Sequence, residues 1–124
     1  MTKFDALLAA LAARDVRFVL VGGLAAAAHG SARLTQDVDI VYARDRENLE
    51  RLAEALAPLR PYLRGAPPGL PFRLDVPTLQ AGLNFTLTTD LGWIDLLGEI
   101  AGCGGYGDLL PACIRTQVFG IDCL

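Results

Sequence analysis

Lysine, histidine and tryptophan each occur once in this sequence, at Lys3, His29 and Trp93. With its one lysine at position 3, the chain has no Gly-Lys-Ser/Thr phosphate loop. No third glycine follows Gly22-Gly23 at dinucleotide-fingerprint spacing, which excludes that binding mode as well. His29, followed directly by Gly30, reads as a hydrogen-bonding group at a helix end rather than a metal ligand. Cysteine is scarce: Cys103, Cys113 and Cys123 are odd in number and ten apart, which fits neither zinc pairs nor a dithiol motif and leaves free thiols. The longest nearly unbroken apolar run, Phe18 to Ala28, is too short for a bilayer and is interrupted by Gly22-Gly23. The N-terminus lacks a basic start and a small-residue cleavage pattern, so a cytoplasmic protein without a membrane partner is expected. Net charge is -3 and the arginines are scattered, so no basic stripe points to a nucleic-acid backbone.

The 124 residues suffice for one hydrophobic core and are read as a single domain, residues 1–124. They are 52% apolar with a mean hydropathy of +0.37, which excludes a disordered polar segment. Apolar surface in this amount leads us to expect self-association or a cognate protein partner.

Hydrophobic periodicity predicts a first helix capped by Thr2, with Phe4, Leu7, Leu8 and Leu11 on one face and an end near Arg14. A buried strand follows over Val16 to Val21, ended by Gly22-Gly23, and then a short alanine-rich helix over Leu24 to His29. Asp37 to Tyr42 reads as a strand on which Asp37 and Asp39 share one face and Val38 and Ile40 the other. Asp45 caps a helix from Arg46 to about Ala57. Residues 58 to 73 carry five prolines and two glycines and read as a surface loop, a lip over the site. Asp75 to Gln80 suggests one helical turn. Leu83 to Thr88 and Trp93 to Leu97 form a hairpin joined by Thr89-Asp90-Leu91-Gly92. Gly98 to Gly107 reads as a loop, Asp108 to Ala112 as a short helix, and Arg115 to Val118 and Ile121 to Leu124 as strands.

An Asp-x-Asp pair alone says little, and a glycine pair alone is equally a tight turn. Their combination is more specific: strand, Gly22-Gly23, thirteen residues, Asp37-Val38-Asp39-Ile40 on a second strand, and a later strand carrying Asp95. Glycines opening into a helix let backbone N–H groups approach a polyphosphate. Carboxylates at alternate strand positions suit a hard cation such as magnesium, and phosphoryl transfer with two metals calls for a further acidic ligand. Asp95 is the leading candidate, as ligand or as base, with Asp90 and Glu99 behind it. Arg33, in the linker, reads either as a planar two-donor partner of triphosphate oxygens or as a solvated surface arginine. Trp93 shares strand parity with Asp95 but is assigned to the core beside Phe85 and Ile94.

The stretch VGGLAAAAHGSARLTQDVDIVY resembles the signature of the polymerase-β-like nucleotidyltransferase superfamily. The pattern His29-Gly30, Arg33-x-Thr35, Asp37-x-Asp39 and Gly92-Trp93-Ile94-Asp95 is similar to small bacterial nucleotidyltransferases that include toxin–antitoxin components. The resemblance covers roughly residues 16 to 97. It implies an α/β (α+β) fold with a mixed sheet flanked by helices, the minimal nucleotidyltransferase fold. It further implies Mg2+ dependence, with two ions when the triphosphate is bound, and transfer of a nucleoside monophosphate to a protein, RNA or small-molecule hydroxyl. Catalysis and metal binding fall to Asp37, Asp39 and Asp95, and nucleotide binding to Gly22, Gly23, Arg33 and Thr35. Such proteins continue into further helices, and the apolar strand at Leu124 gives the expectation that those are lacking. The same residues also fit a catalytically silent relative that binds nucleotide or a protein partner.

Overall fold

Three leucines on one helical face begin the fold. Helix α1, Phe4–Ala13, turns Leu7, Leu8 and Leu11 fully inward, and the chain leaves it through Asp15, whose φ of +54° reverses direction. The computed structural model describes residues 3–22, 37–100, 102–113, 116–118 and 121–124. Thr2, expected as the cap of α1, lies outside them, as does the expected helix over Leu24 to His29. Lys3 holds the cap position of α1 without a side-chain cap bond, and its N–H donates to Leu91 O at 2.7 Å instead.

Strand β1, Phe18–Val21, pairs antiparallel with β2, Asp37–Tyr42. Helix α2, Arg46–Leu56, starts where the Asp45 carboxylate accepts from Asn48 N. This bond satisfies one of the N–H groups a helix start leaves open. Asn48 itself is completely buried: its side chain accepts from Arg17 N at 2.7 Å and donates to Arg17 O at 3.0 Å and Ala43 O at 2.8 Å. One amide thus ties the beginning of β1 to the end of β2.

The proline-rich stretch departs from the expected loop. After a 3-10 turn at Ala57–Leu59, Tyr62–Leu63 form strand β3, which pairs antiparallel with β4, Phe85–Thr89. The prolines stand on either side of Tyr62 and Leu63, leaving their N–H groups free for an edge pairing. A two-turn helix α3, Val76–Ala81, follows, capped by Asp75. Strand β5, Gly92–Leu97, closes a tight hairpin with β4 through Asp90 and Leu91, and Gly92 takes a φ of +118° there.

The principal sheet has the order β1-β2-β5-β4-β3, with β2 and β5 parallel and every other neighbouring pair antiparallel. It is the mixed sheet with helices that the sequence predicts. Helices α1, α2 and α3 share one hydrophobic cluster with Phe18, Leu20, Val38, Ile40, Tyr42, Leu87, Ile94 and Leu96. Residues of opposite strand parity, Asp37, Asp39, Trp93 and Asp95 among them, face away from these helices.

The expected loop after β5 contains a small hairpin of β6, Glu99–Ile100, and β7, Gly104–Gly105. A one-turn helix α4, Tyr106–Leu109, and a 3-10 turn, Leu110–Ala112, occupy the expected helix. Strands β8, Thr116–Val118, and β9, Ile121–Cys123, pair antiparallel, and Leu124 O accepts from Leu20 N at 2.8 Å along the outer edge of β1.

Candidate active site

Alternation along β2 places Asp37 and Asp39 on the open face while Val38 and Ile40 sit fully buried beneath. The parallel pairing sets Asp39 opposite Asp95 and Asp37 opposite Trp93. Carboxylate oxygens of Asp37, Asp39 and Asp95 consequently lie within 4.8 Å of one another, and no other such acidic group occurs among the described residues. All three are partly buried.

Gly22 stands at the end of β1, next to the residue paired with Asp39. Its φ is +75°, and a Cβ there would run into the Asp39 carboxylate. Both facts require glycine: the backbone is left-handed, and the space a side chain needs belongs to Asp39. Gly23, Arg33, Thr35 and His29 lie outside the described residues.

Burial within the acidic cluster raises the proton affinity of Asp39 and Asp95. The Asp39 carboxyl is pushed up to about 7, first by burial, then by the charges of Asp37 and Asp95, with proton-sharing hydrogen bonds adding to it. Asp95 is also raised, first by burial and then by its hydrogen bond with Asp37, while the neighbouring Arg64 charge opposes the rise. Asp39 Oδ1 and Asp95 Oδ1 are buried oxygens without a hydrogen-bond partner among the described residues. Hard carboxylate oxygens, clustered and unsatisfied, are the donor set that a divalent cation such as magnesium takes. The residues present therefore fit a metal, which Asp37, Asp39 and Asp95 together could hold.

Two site residues emerge that sequence reasoning did not assign. Arg64, just past β3, has Nη2 at 2.9 Å from Asp95 Oδ1 and Nη1 at 3.7 Å from Asp37 Oδ2. Nη2 also donates to Leu87 O at 2.8 Å, so its contact with Asp95 is an ion pair rather than an aligned hydrogen bond. The guanidinium lies 4.6 Å from the centre of the Trp93 ring. Trp93 is 40% exposed on the acid-bearing face, which corrects its assignment to the core: parity with Asp95 outweighs the apolar neighbours in sequence. The signal for Arg64 was the short Tyr62-Leu63 pair inside the proline-rich run, too brief for a periodicity to show.

Asp90 and Glu99, the alternatives to Asp95, stand apart from this cluster. Asp90 accepts from Arg60 Nε with both oxygens, at 3.2 and 3.0 Å, in the hairpin turn, and Glu99 is exposed on β6.

A glycine whose missing side chain makes room for a strand aspartate, and a second aspartate two residues earlier on that strand, agree with the resemblance drawn from the sequence. Comparison with protein families decides the matter: the family described as nucleotidyl transferase AbiEii toxin, type IV toxin–antitoxin system, matches residues 5–88. The chain belongs to the AbiEii nucleotidyl transferase family. The matched residues take in Gly22, Asp37, Asp39 and Arg64 and stop short of Asp95. No curated protein and no solved structure matches the chain. As an AbiEii-family nucleotidyltransferase it has a mixed-sheet α+β fold, and among its described residues no helix is long and apolar enough to cross a membrane.

Proposed function

We propose that this chain transfers a nucleoside monophosphate from a nucleoside triphosphate to a hydroxyl acceptor with release of pyrophosphate, using Mg2+ held by Asp37, Asp39 and Asp95. The observation that carries this reading is the convergence of these three carboxylates, from two parallel strands, beside the Gly22 turn. The Gly22-Gly23 turn receives the triphosphate, with Arg33 and Thr35 also assigned to its phosphates on the sequence pattern. When bound, the divalent ions supply the positive charge that stabilises the entering and leaving oxygens of an in-line displacement. Asp95, at the side of the cluster away from Gly22's strand, orients the acceptor hydroxyl and takes its proton as oxygen attacks the α-phosphorus. The bond from that phosphorus to the bridging oxygen breaks, and pyrophosphate departs with the electron pair.

The acceptor is a hydroxyl of a protein, an RNA end or a small molecule. The family description supports a toxin role with an antitoxin as cognate partner, and the cytoplasm is assigned on the N-terminal sequence alone. The test is incubation of the purified protein with each labelled triphosphate, Mg2+ and a cell extract, comparing wild type with Asp39→Asn. Label is expected on an acceptor with wild type only. If no triphosphate labels anything while ATP with Mg2+ still raises the melting temperature, the chain is a nucleotide-binding module and transfer is refuted.

A further inference from the structure

Arg64 is seated incompletely. Its backbone is fixed, with N–H donating to Thr86 O at 2.9 Å, and the following Gly65 has a φ of +83°. Its side chain is only 20% exposed, yet Nε is buried without a hydrogen-bond partner. Arginines kept for structure alone normally satisfy their buried donors, because an unpaired one forfeits its hydration. Here a buried guanidinium donor and a buried Asp39 oxygen remain without hydrogen-bond partners within one cluster, and Asp95 Oδ1 meets Arg64 Nη2 only as an ion pair.

A metal–polyphosphate complex has what each of these groups needs. Carboxylate oxygens take the cation, and a planar guanidinium takes phosphate oxygens in pairs. Arg64 cannot stay where it is when the cation arrives, since its positive charge then stands against a second one at the same oxygens. The face of Trp93 gives the guanidinium a surface along which to move without leaving the site.

We propose that Arg64 is a triphosphate-binding residue that serves as counter-ion to Asp37 and Asp95 of the acidic cluster while no metal is bound, so that metal entry and release of Arg64 toward the phosphates are one event. The proposal rests on the nucleotidyl-transfer reading for its ligand, but its first measurement uses metal alone. Calorimetric titration of Mn2+ into wild type, Arg64→Gln and Arg64→Lys reads the competition. Removing the resident charge is expected to tighten Mn2+ binding at least fivefold in Arg64→Gln and to leave Arg64→Lys near wild type. Asp39→Asn is expected to abolish the binding heat, which assigns it to the cluster. Trp93 is the only tryptophan, so departure of the guanidinium from its ring is expected to change its fluorescence during a Mg2+ titration of wild type, with no such change in Arg64→Gln.

The second measurement uses inorganic tripolyphosphate in saturating Mn2+, which needs no knowledge of the base. Arg64→Gln is expected to bind it at least tenfold more weakly than wild type. Arg64→Lys, which keeps the charge and folds through the same contacts of its backbone, is expected to lose several-fold because a point charge lacks the two-donor plane. Equal or weaker Mn2+ binding by Arg64→Gln overturns the proposal, as does unchanged tripolyphosphate affinity in both variants. Failure of the nucleotidyl-transfer reading shows up separately, as absence of labelled product from wild-type protein that passes both titrations.

Discussion

Gly22 and Asp39 occupy one another's space in a way that makes each residue type obligatory. Replacement Gly22→Ala places a methyl group against the Asp39 carboxylate and forces an L residue into left-handed backbone. We expect it to lower stability by about 1–3 kcal/mol in urea unfolding and to weaken Mn2+ binding, because Asp39 must yield its position. Asp39 itself makes stability depend on pH. Its folded-state carboxyl titrates near 7 against an ordinary value of 3.8, so between those limits the folded state holds a proton that the unfolded state has lost. Metal-free protein is therefore expected to lose stability as pH rises from about 4 to about 7. Asp39→Asn, which carries no titrating group, is expected to flatten that slope in melting-temperature profiles taken in chelator. A slope in wild type of opposite sign excludes the assignment.

At the scale of elements, the site depends on β2 keeping its register between β1 and β5. A one-residue slip would turn Asp37 and Asp39 into the helix-covered core and expose Val38 and Ile40. Asn48 guards one side of that register from within α2 by bonding both Arg17 and Ala43. Asn48→Ala leaves Arg17 N and Ala43 O without the partner Asn48 supplied, while Arg17 O keeps its bond from Ala43 N. We expect a loss of about 3 kcal/mol, read as a lower urea midpoint with unchanged slope. Strand β3 does the corresponding work at the far edge, where two residues paired to β4 suffice to bring Arg64 to the acids.

Across the whole molecule, the sheet divides two environments. Helices α1, α2 and α3 bury one face in a single apolar cluster, while the other face gathers three carboxylates, two of them paired with one arginine. Concentrating like charge at the open face costs stability that the apolar face must offset. A bound divalent ion relieves this cost, so Mg2+ is expected to raise the melting temperature. One hundred-fold excess over its dissociation constant corresponds to about 2.7 kcal/mol. The increase should be greater at pH 8 than at pH 5.5, since near the lower value a proton already neutralises Asp39. Chelator should reverse it fully, and thermal scans with and without Mg2+ at both pH values measure the effect.

Local chemistry was enough for the sequence to determine the β2 pattern and its two-faced acids, the cap of α2, the helical turn after Asp75, and the β4–β5 hairpin. Each is set by neighbours a few residues apart: strand alternation, a side-chain oxygen on a nearby N–H, or a glycine at a tight turn. The choice of Asp95 over Asp90 and Glu99 followed from its place on a strand expected to neighbour that of Asp37, and the parallel register of β2 with β5 brings its carboxylate beside Asp37 and Asp39. Only the tertiary structure decided that residues 62 and 63 join the sheet, that Arg64 counters the acids, and that Trp93 lies at the site. A two-residue strand has no period to read, because what orders it is its partner β4 more than twenty residues along the chain. An arginine in a proline-rich run looks solvated until the fold brings Asp37 and Asp95 to its side.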